Sequence, residues 1–489
     1  MVSTRPTETQ SGRRYLSELS NASPSPNQRV FPLTADVNEA DHLEVGGCDV
    51  IDLLEKFGSP LYILDEETLR TACRQYRDSF AKYYPGESQV IYASKAWNCL
   101  AVCAIVASEG LGIDVVSGGE LYTALQAGVD ATKLYLHGNN KSRDELVFAA
   151  ESGCTIVVDN WLELKTLAEV ASEQDSKSAL RISPAETLRE PLPALPIRVM
   201  IRLTPGIECH THDYIRTGSI DSKFGFDLNQ LDQVFQFLIQ HPELSCIGLH
   251  AHIGSQIFEL EPHHDLAAVM VQWLLKATHY GLPIAILNIG GGLGICYTES
   301  DDPPSIESWV KTVSAAIAHA CDMHQVPYPK LISEPGRSLI GSACVTGYTI
   351  GAQKNIPNVR TYWSVDGGMS DNPRPITYQS VYRAVIANRM SAPLTETITI
   401  AGKHCESGDV LIKDAQLAAA VPGDALVIPA TGAYNYSMSS NYNRIPRPAA
   451  VLVNNGEANL ILQRETNDDL IRQDRLPERL RQGSDRVLG

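Results

Sequence analysis

Lys95 closes the stretch Gln89–Trp97, QVIYASKAW, in which strand-like residues run straight into the amine and a helix-like segment, NCLAVCAIVASEG, follows. A lysine at the end of a buried strand is costly unless it reaches solvent, finds a carboxylate or is used chemically. The chemical use would be a Schiff base, since a partly desolvated amine is nucleophilic near neutral pH. The turn NIGGGLG (288–294) is either a tight turn or a backbone cradle for a phosphate, because consecutive glycines allow an approach that a side chain would block. Glu334 in SEPGR is either an ion-pair partner of Arg337 or a carboxylate that keeps a heteroaromatic nitrogen protonated. His252 in HAHIGS could stack on a ring, move a proton or bind metal, with His250 on the same strand face. The neighbouring strand ends offer few further ligands, so stacking is favoured and no metal is expected.

Farther along, Cys405 in GKHCESGD is either a small core residue or a thiol acid tuned by its neighbours. Arg374 and Tyr378 in DNPRPITY offer a bidentate grip on a carboxylate, with a solvated loop as the plainer reading. Tyr434 in TGAYNY is by default a packing residue.

The elements that would have to hold these groups alternate regularly. Apolar runs at 90–94, 112–117, 133–138, 154–159, 198–206, 246–254, 285–291 and 330–336 are separated by helix-length amphipathic stretches, and each run but the last is followed by a helix. Eight βα units over roughly 250 residues predict an α/β fold, a (β/α)8 TIM barrel. A doubly wound open sheet is the competing architecture and rarely sustains so many regular units. Lys95, Asp114, His137, Asp159, Arg202, His252, Gly290–Gly292 and Glu334 lie in these runs or at their C-terminal ends, where a barrel carries its active site. From about residue 340 short β-like runs with Gly and Pro turns predict a second, C-terminal all-β domain. The expected division is a disordered tail over 1–45, a segment 46–66 that lends Leu61–Leu64 to the β domain, the barrel over 67–338 with a surface insertion at 176–196, the β domain over 339–475 and a charged tail over 476–489.

The 489 residues carry 40 Lys and Arg against 57 Asp and Glu, a net charge of −17, which argues against nucleic acid and anionic membranes as partners. No window reaches the apolar length of a spanning helix. Eleven cysteines without a CxxC pair fit a reducing compartment; a bacterial cytosol fits best and a plastid also fits.

Taken together, VIYASKAW, HGNNKS, SKFGF, GLHAHIGSQIF, IGGGLGI, EPGR, VDGGMSDN and GKHCESGD resemble the diaminopimelate decarboxylases, fold-type III pyridoxal-phosphate enzymes, over roughly Asp49 to Asp469. The resemblance implies that Lys95 forms the Schiff base with pyridoxal 5'-phosphate, that His252 stacks on the ring, and that Ser255 with Gly290, Gly291 and Gly292 holds the phosphate. It also implies that Glu334 pairs with the pyridine nitrogen and that Gly336 and Tyr434 join the cofactor contacts. Arg337, Arg374 and Tyr378 would bind a substrate carboxylate, Glu406 the distal ammonium, and Cys405 would protonate the carbanion. The family's sites are shared across a homodimer, so Cys405 and Glu406 would act in the partner's site. The implied reaction converts meso-2,6-diaminopimelate to L-lysine and CO2. An ornithine- or arginine-type decarboxylase is set apart at positions 374 and 406, and a racemase would need a second base of which no tyrosine-led motif is found. A regulatory paralogue without cofactor is opposed by Lys95, Glu334, Arg337 and Cys405 standing together.

Overall fold

The computed structural model describes residues 10–16, 25–180, 196–207 and 222–481, with side chains of 174–180 left aside. Eight parallel strands form its centre: β1 (Ser88–Ala93), β2 (Gly112–Val115), β3 (Leu134–Leu136), β4 (Thr155–Val158), β5 (Ile197–Thr204), β6 (Leu244–His250), β7 (Ile286–Asn288) and β8 (Lys330–Ser333). Each pairs with the next, β4 with β5 and β8 with β1 included, so the sheet closes into the expected barrel. The strand β8 is followed only by the short turn Arg337–Ile340. The missing outer helix is supplied from before the barrel by α1 (Glu66–Tyr83), capped by Asp65 accepting from Thr68 N. Tyr76 and Phe80 of α1 pack edge-on against Trp309 of α2 (Ile306–His324), 6.0 and 6.4 Å between ring centroids.

The strand pleat explains where the polar residues fall. Ile91, Tyr135, Val157, Met200 and Ile332 fill the barrel interior as one buried cluster. Side chains repeat on one face every second residue, so the next inward positions toward the C-terminal mouth are Ala93, Asp114, His137, Asp159, Arg202, His250, Asn288 and Glu334. Seven of these eight are polar and all are buried. One turn of the pleat therefore divides an apolar plug from a polar floor.

The second domain is a mixed sheet into which Leu61–Asp65 inserts, antiparallel to Cys344–Ile356 and parallel to Ala449–Asn454, as expected for the segment preceding the barrel. Its hairpin Leu394–Ala401/Val410–Ala418 carries the tip 402–409.

Two boundaries differ from expectation. Residues 10–16 and 25–45 are ordered rather than a disordered tail: Tyr15, Val30, Phe31, Leu43 and Val45 are buried against Val345, Val385, Met390 and Val451 of the second domain. Their mean composition is polar, but a few well-spaced apolar anchors suffice to hold them. The helix Trp161–Leu180 runs through the start of the expected 176–196 insertion, whose residues 181–195 lie outside the described residues, as do 482–489 of the charged tail. No helix among the described residues is long and apolar enough to cross a membrane.

Candidate active site

Lys95 lies just past the end of β1, in the single 3-10 turn Ser94–Ala96, with its side chain exposed at the barrel mouth. Ala93, Asp114, His252, Ser255, Gly292, Glu334, Gly336, Arg337 and Tyr434 line the same cavity. Residues from five barrel strand ends and the second domain thus converge on one amine.

Glu334 forms the charged floor. Its Oε1 accepts from Asn288 Nδ2 at 2.6 Å and faces His137 Nε2 at 2.9 Å, while His250 Nε2 lies 3.2 Å from Oε2. Burial pushes this carboxyl up, but His137 and His250 outweigh it and hold Glu334 well below the usual carboxylate range. The donors of His137, His250 and Glu334 lie within 4.8 Å of one another, a grouping that a cation could also use. The 3.2 Å separation of His250 is that of a direct hydrogen bond, and His137 at 2.9 Å is at ion-pair distance.

Asp114 sits 3.7 Å from His137 Nε2 and is pushed up to about 6, chiefly by burial and further by Glu334, with His137 and Lys95 pulling the other way. Its folded value lies above the unfolded one, so the stability it contributes is complete below the unfolded pKa and is lost as pH rises through about 6. Asp114→Asn, which cannot ionise, should gain thermal stability relative to the parent as pH rises from about 4 to about 6 and keep that gain at higher pH. Parallel melting curves check this, and a pH-independent offset would exclude Asp114 as a titrating group.

The glycine turn is built for close approach. Gly290 has φ +67°, and a Cβ on Gly291 would meet the Glu334 carbonyl oxygen at 2.3 Å. Gly290 N donates to Asn288 Oδ1 at 3.0 Å and Gly291 N to His252 Nδ1 at 3.2 Å, so Gly292 is the member lining the cavity. Since His252 Nδ1 accepts the Gly291 N–H hydrogen bond, its ring is the neutral Nε2–H tautomer. Burial, Lys95 and Arg202 hold its pKa well below the usual histidine value in agreement.

Arg337 also lines a second cavity, a vestibule of about 400 Å3, together with Tyr297, Arg374 and Tyr378. Arg337 donates to Ser255 Oγ from Nε and Nη2 at 3.2 and 3.0 Å and to Tyr297 Oη from Nη1 at 2.5 Å. The buried Arg374 donates to Tyr382 Oη at 2.9 Å and to Ser380 Oγ at 3.2 Å, and its guanidinium stands 5.4 Å from the Tyr378 ring centre. Tyr434, at φ +67°, is held by its N–H on Ala96 O at 2.8 Å, with the Arg337 guanidinium 4.8 Å from its ring centre.

Cys405 and Glu406 stand apart. Both are exposed at the hairpin tip and line neither cavity of their own chain. The tip is nonetheless held: Asp409 accepts from Met369 N at 2.7 Å, His404 N at 2.9 Å and the His404 ring at 2.6 Å, and Cys405 N donates to Asn443 Oδ1 at 2.8 Å. The other described cysteines are all buried. Among the residues given no role in the sequence reading are His137, Asn288, Tyr297 and Tyr382. The period-two spacing from the apolar plug to the floor marks the first two, and no sequence signal marks the tyrosines.

Residues 66–341 match the family model described as "Pyridoxal-dependent decarboxylase, pyridoxal binding domain". The chain is 64% identical over 467 residues to the diaminopimelate decarboxylase of Synechocystis, covering 94% of this chain and 96% of that protein. It is 44% identical over 446 residues to the Bacillus subtilis enzyme of the same name, covering 90% and 97%. Among solved structures, diaminopimelate decarboxylase from M. jannaschii in co-complex with L-lysine superimposes with a TM-score of 0.81 at 31% identity, covering 94% of this chain and all of that one. With a lysine, a charged carboxylate floor and a glycine cradle facing one cavity, the residues fit the cofactor that this family is named for, and the chain belongs to the pyridoxal-dependent decarboxylases, among the diaminopimelate decarboxylases.

Proposed function

We propose that the chain decarboxylates meso-2,6-diaminopimelate to L-lysine and CO2, the last step of lysine formation by the diaminopimelate route, in a homodimer whose two sites are each built from both protomers. The observation that carries this is that Arg337 lines both the Lys95 cavity and the Arg374 vestibule. Pyridoxal 5'-phosphate, when bound, supplies the electron sink that takes up the electron pair released with CO2. Lys95 would hold the cofactor covalently through its amine. Glu334, kept anionic by its two histidines, holds a proton on the pyridine nitrogen. His252, Ser255, Gly290–Gly292, Gly336, Arg337 and Tyr434 orient the ring and the phosphate.

Arg337, Arg374 and Tyr378 bind the substrate's remote carboxylate, and Glu406 binds the ammonium beside it. Cys405 gives its thiol proton to the substrate carbon that has lost CO2, on which a C–H bond then forms. The exposure of Cys405 and Glu406 on an ordered hairpin, away from their own chain's cavities, supports their service in the other protomer's site. The bacterial relatives support a cytoplasmic location; a plastid is the second reading.

Offering meso-diaminopimelate, L-ornithine, L-arginine and L-lysine side by side to the holoenzyme should release CO2 from diaminopimelate alone, with L-lysine as product. Turnover of ornithine or arginine at a comparable kcat/KM would overturn the substrate assignment, because a pocket built for a second charged end rejects analogues lacking it by large factors.

A further inference from the structure

We infer that Tyr297 is a positioning residue that sets the Arg337–Arg374 pair for the substrate carboxylate, and that Ser25–Gln28 is the strap that sets Tyr297. The inference rests on the reading of Arg337 and Arg374 as carboxylate binders.

Two guanidiniums facing one vestibule repel each other, and each is free to choose among rotamers unless something fixes it. Tyr297 touches both. Its hydroxyl accepts from Arg337 Nη1 at 2.5 Å, and its ring centre lies 5.8 Å from the Arg337 guanidinium carbon and 5.5 Å from that of Arg374. Tyr382, which accepts from Arg374, meets the Tyr297 ring edge-on at 5.2 Å. The two phenols thereby tie the arginines into one unit, with ring faces turned to cations. Burial pushes the Tyr297 phenol up, yet Arg337 and Arg374 outweigh it and bring it below its ordinary value, the response expected of a phenol wedged between two positive charges.

Tyr297 belongs to the irregular stretch between β7 and α2, so helix or sheet hydrogen bonds cannot fix it. Its own N–H and that of Thr298 donate to Asp301 Oδ2 at 3.0 and 2.8 Å, which shapes the local turn. The turn is fastened from the other end of the chain. Asn27, 0% exposed, donates from Nδ2 to Gly294 O at 3.1 Å and Pro304 O at 2.9 Å, and its carbonyl accepts from Cys296 N at 2.9 Å. Gln28 Nε2 donates to Pro303 O at 2.9 Å, and Ser25 Oγ accepts from Ile306 N at 3.0 Å, where α2 begins. Ser342 Oγ pins the strap itself through Pro26 O at 2.7 Å. Without the Asn27 amide, two carbonyls at the neck of the Tyr297 loop, those of Gly294 and Pro304, lose their donor, and buried backbone groups do not stay unpaired in a fixed conformation.

The test is a mutant cycle on the holoenzyme with meso-diaminopimelate. Tyr297→Phe keeps the ring and removes the acceptor; it should raise KM about tenfold or more while kcat changes by less than about threefold, with the visible absorbance of the bound cofactor intact. Asn27→Ala should raise KM in the same direction, and the double variant should be no worse than the larger single one, because both act through one loop. If Asn27→Ala does not fold, Asn27→Asp, which keeps the shape and loses the two N–H donors, takes its place in the cycle. An unchanged KM for Tyr297→Phe overturns the positioning role, and KM effects that multiply in the double variant overturn the strap. Arg374→Ala is measured alongside: if it leaves KM unchanged, the reading of the arginines fails, and if it raises KM where Tyr297→Phe does not, the inference alone fails.

Discussion

Lys95→Ala is expected to lower the turnover of diaminopimelate by at least about 10³-fold, because the covalent tether of the cofactor would be lost. The fold should survive. Lys95 is exposed at the end of a strand, outside both the apolar plug and the network around Glu334, so its removal opens no buried cavity. Its ammonium also favours the Asp114 carboxylate and disfavours a charge on His252; both effects weaken in the variant, so both groups take up a proton more readily. The measurements are single-turnover product formation and the visible spectrum of protein reconstituted with pyridoxal phosphate. Loss of product together with loss of the lysine-linked absorbance is the expected result. Retention of more than about a tenth of parental turnover would show that another amine, or none, carries the covalent step.

Lys95 was legible in the sequence because strand, nucleophile and helix follow one another in nine residues, and a local pattern needs no knowledge of distant pairing. The eight barrel runs were legible for the same reason: hydrophobic stretches of strand length repeat between amphipathic helices. The support of Glu334 was not. His137, His250 and Asn288 come from three strands separated by 38 to 113 residues, and only closure of the barrel brings them onto one carboxylate. In the sequence each reads as an isolated polar residue near a strand end. The barrel's two-residue pleat marks them once the strands are paired, since each stands two positions beyond a plug residue or its counterpart. Asn27 was hidden for a different reason. A stretch rich in Ser, Pro and Asn reads as disordered on average composition, whereas a single buried residue, with two loop partners for its amide and one for its main-chain carbonyl, helps to order it. Tyr297 and Tyr382 were hidden because cation–aromatic contacts leave no periodic trace.

Cys405→Ala should lower turnover by about 10² to 10³-fold while the cofactor stays bound, as expected for loss of one positioned proton donor. Asp409 and Asn443 hold the hairpin tip through backbone and imidazole groups, none of which involves the Cys405 thiol, so the tip should keep its shape. The shared-site reading makes a sharper claim. When Lys95→Ala and Cys405→Ala chains are unfolded together and refolded as a mixture, about half of the dimers are mixed, and one of the two sites in each mixed dimer carries both an intact Lys95 and an intact Cys405. Two nearly inactive proteins should therefore regain about a quarter of parental activity. If Cys405 served the cavity of its own chain, every site would carry one lesion and no activity would return. The position of Cys405 favours recovery: the thiol is exposed on an ordered tip and lines neither cavity beside Lys95 or Arg374 in its own chain. On the shared-site reading, a proton donor so placed reaches a substrate only when a second protomer brings its barrel mouth to the hairpin, which would make the dimer a condition of the chemistry rather than an addition to it.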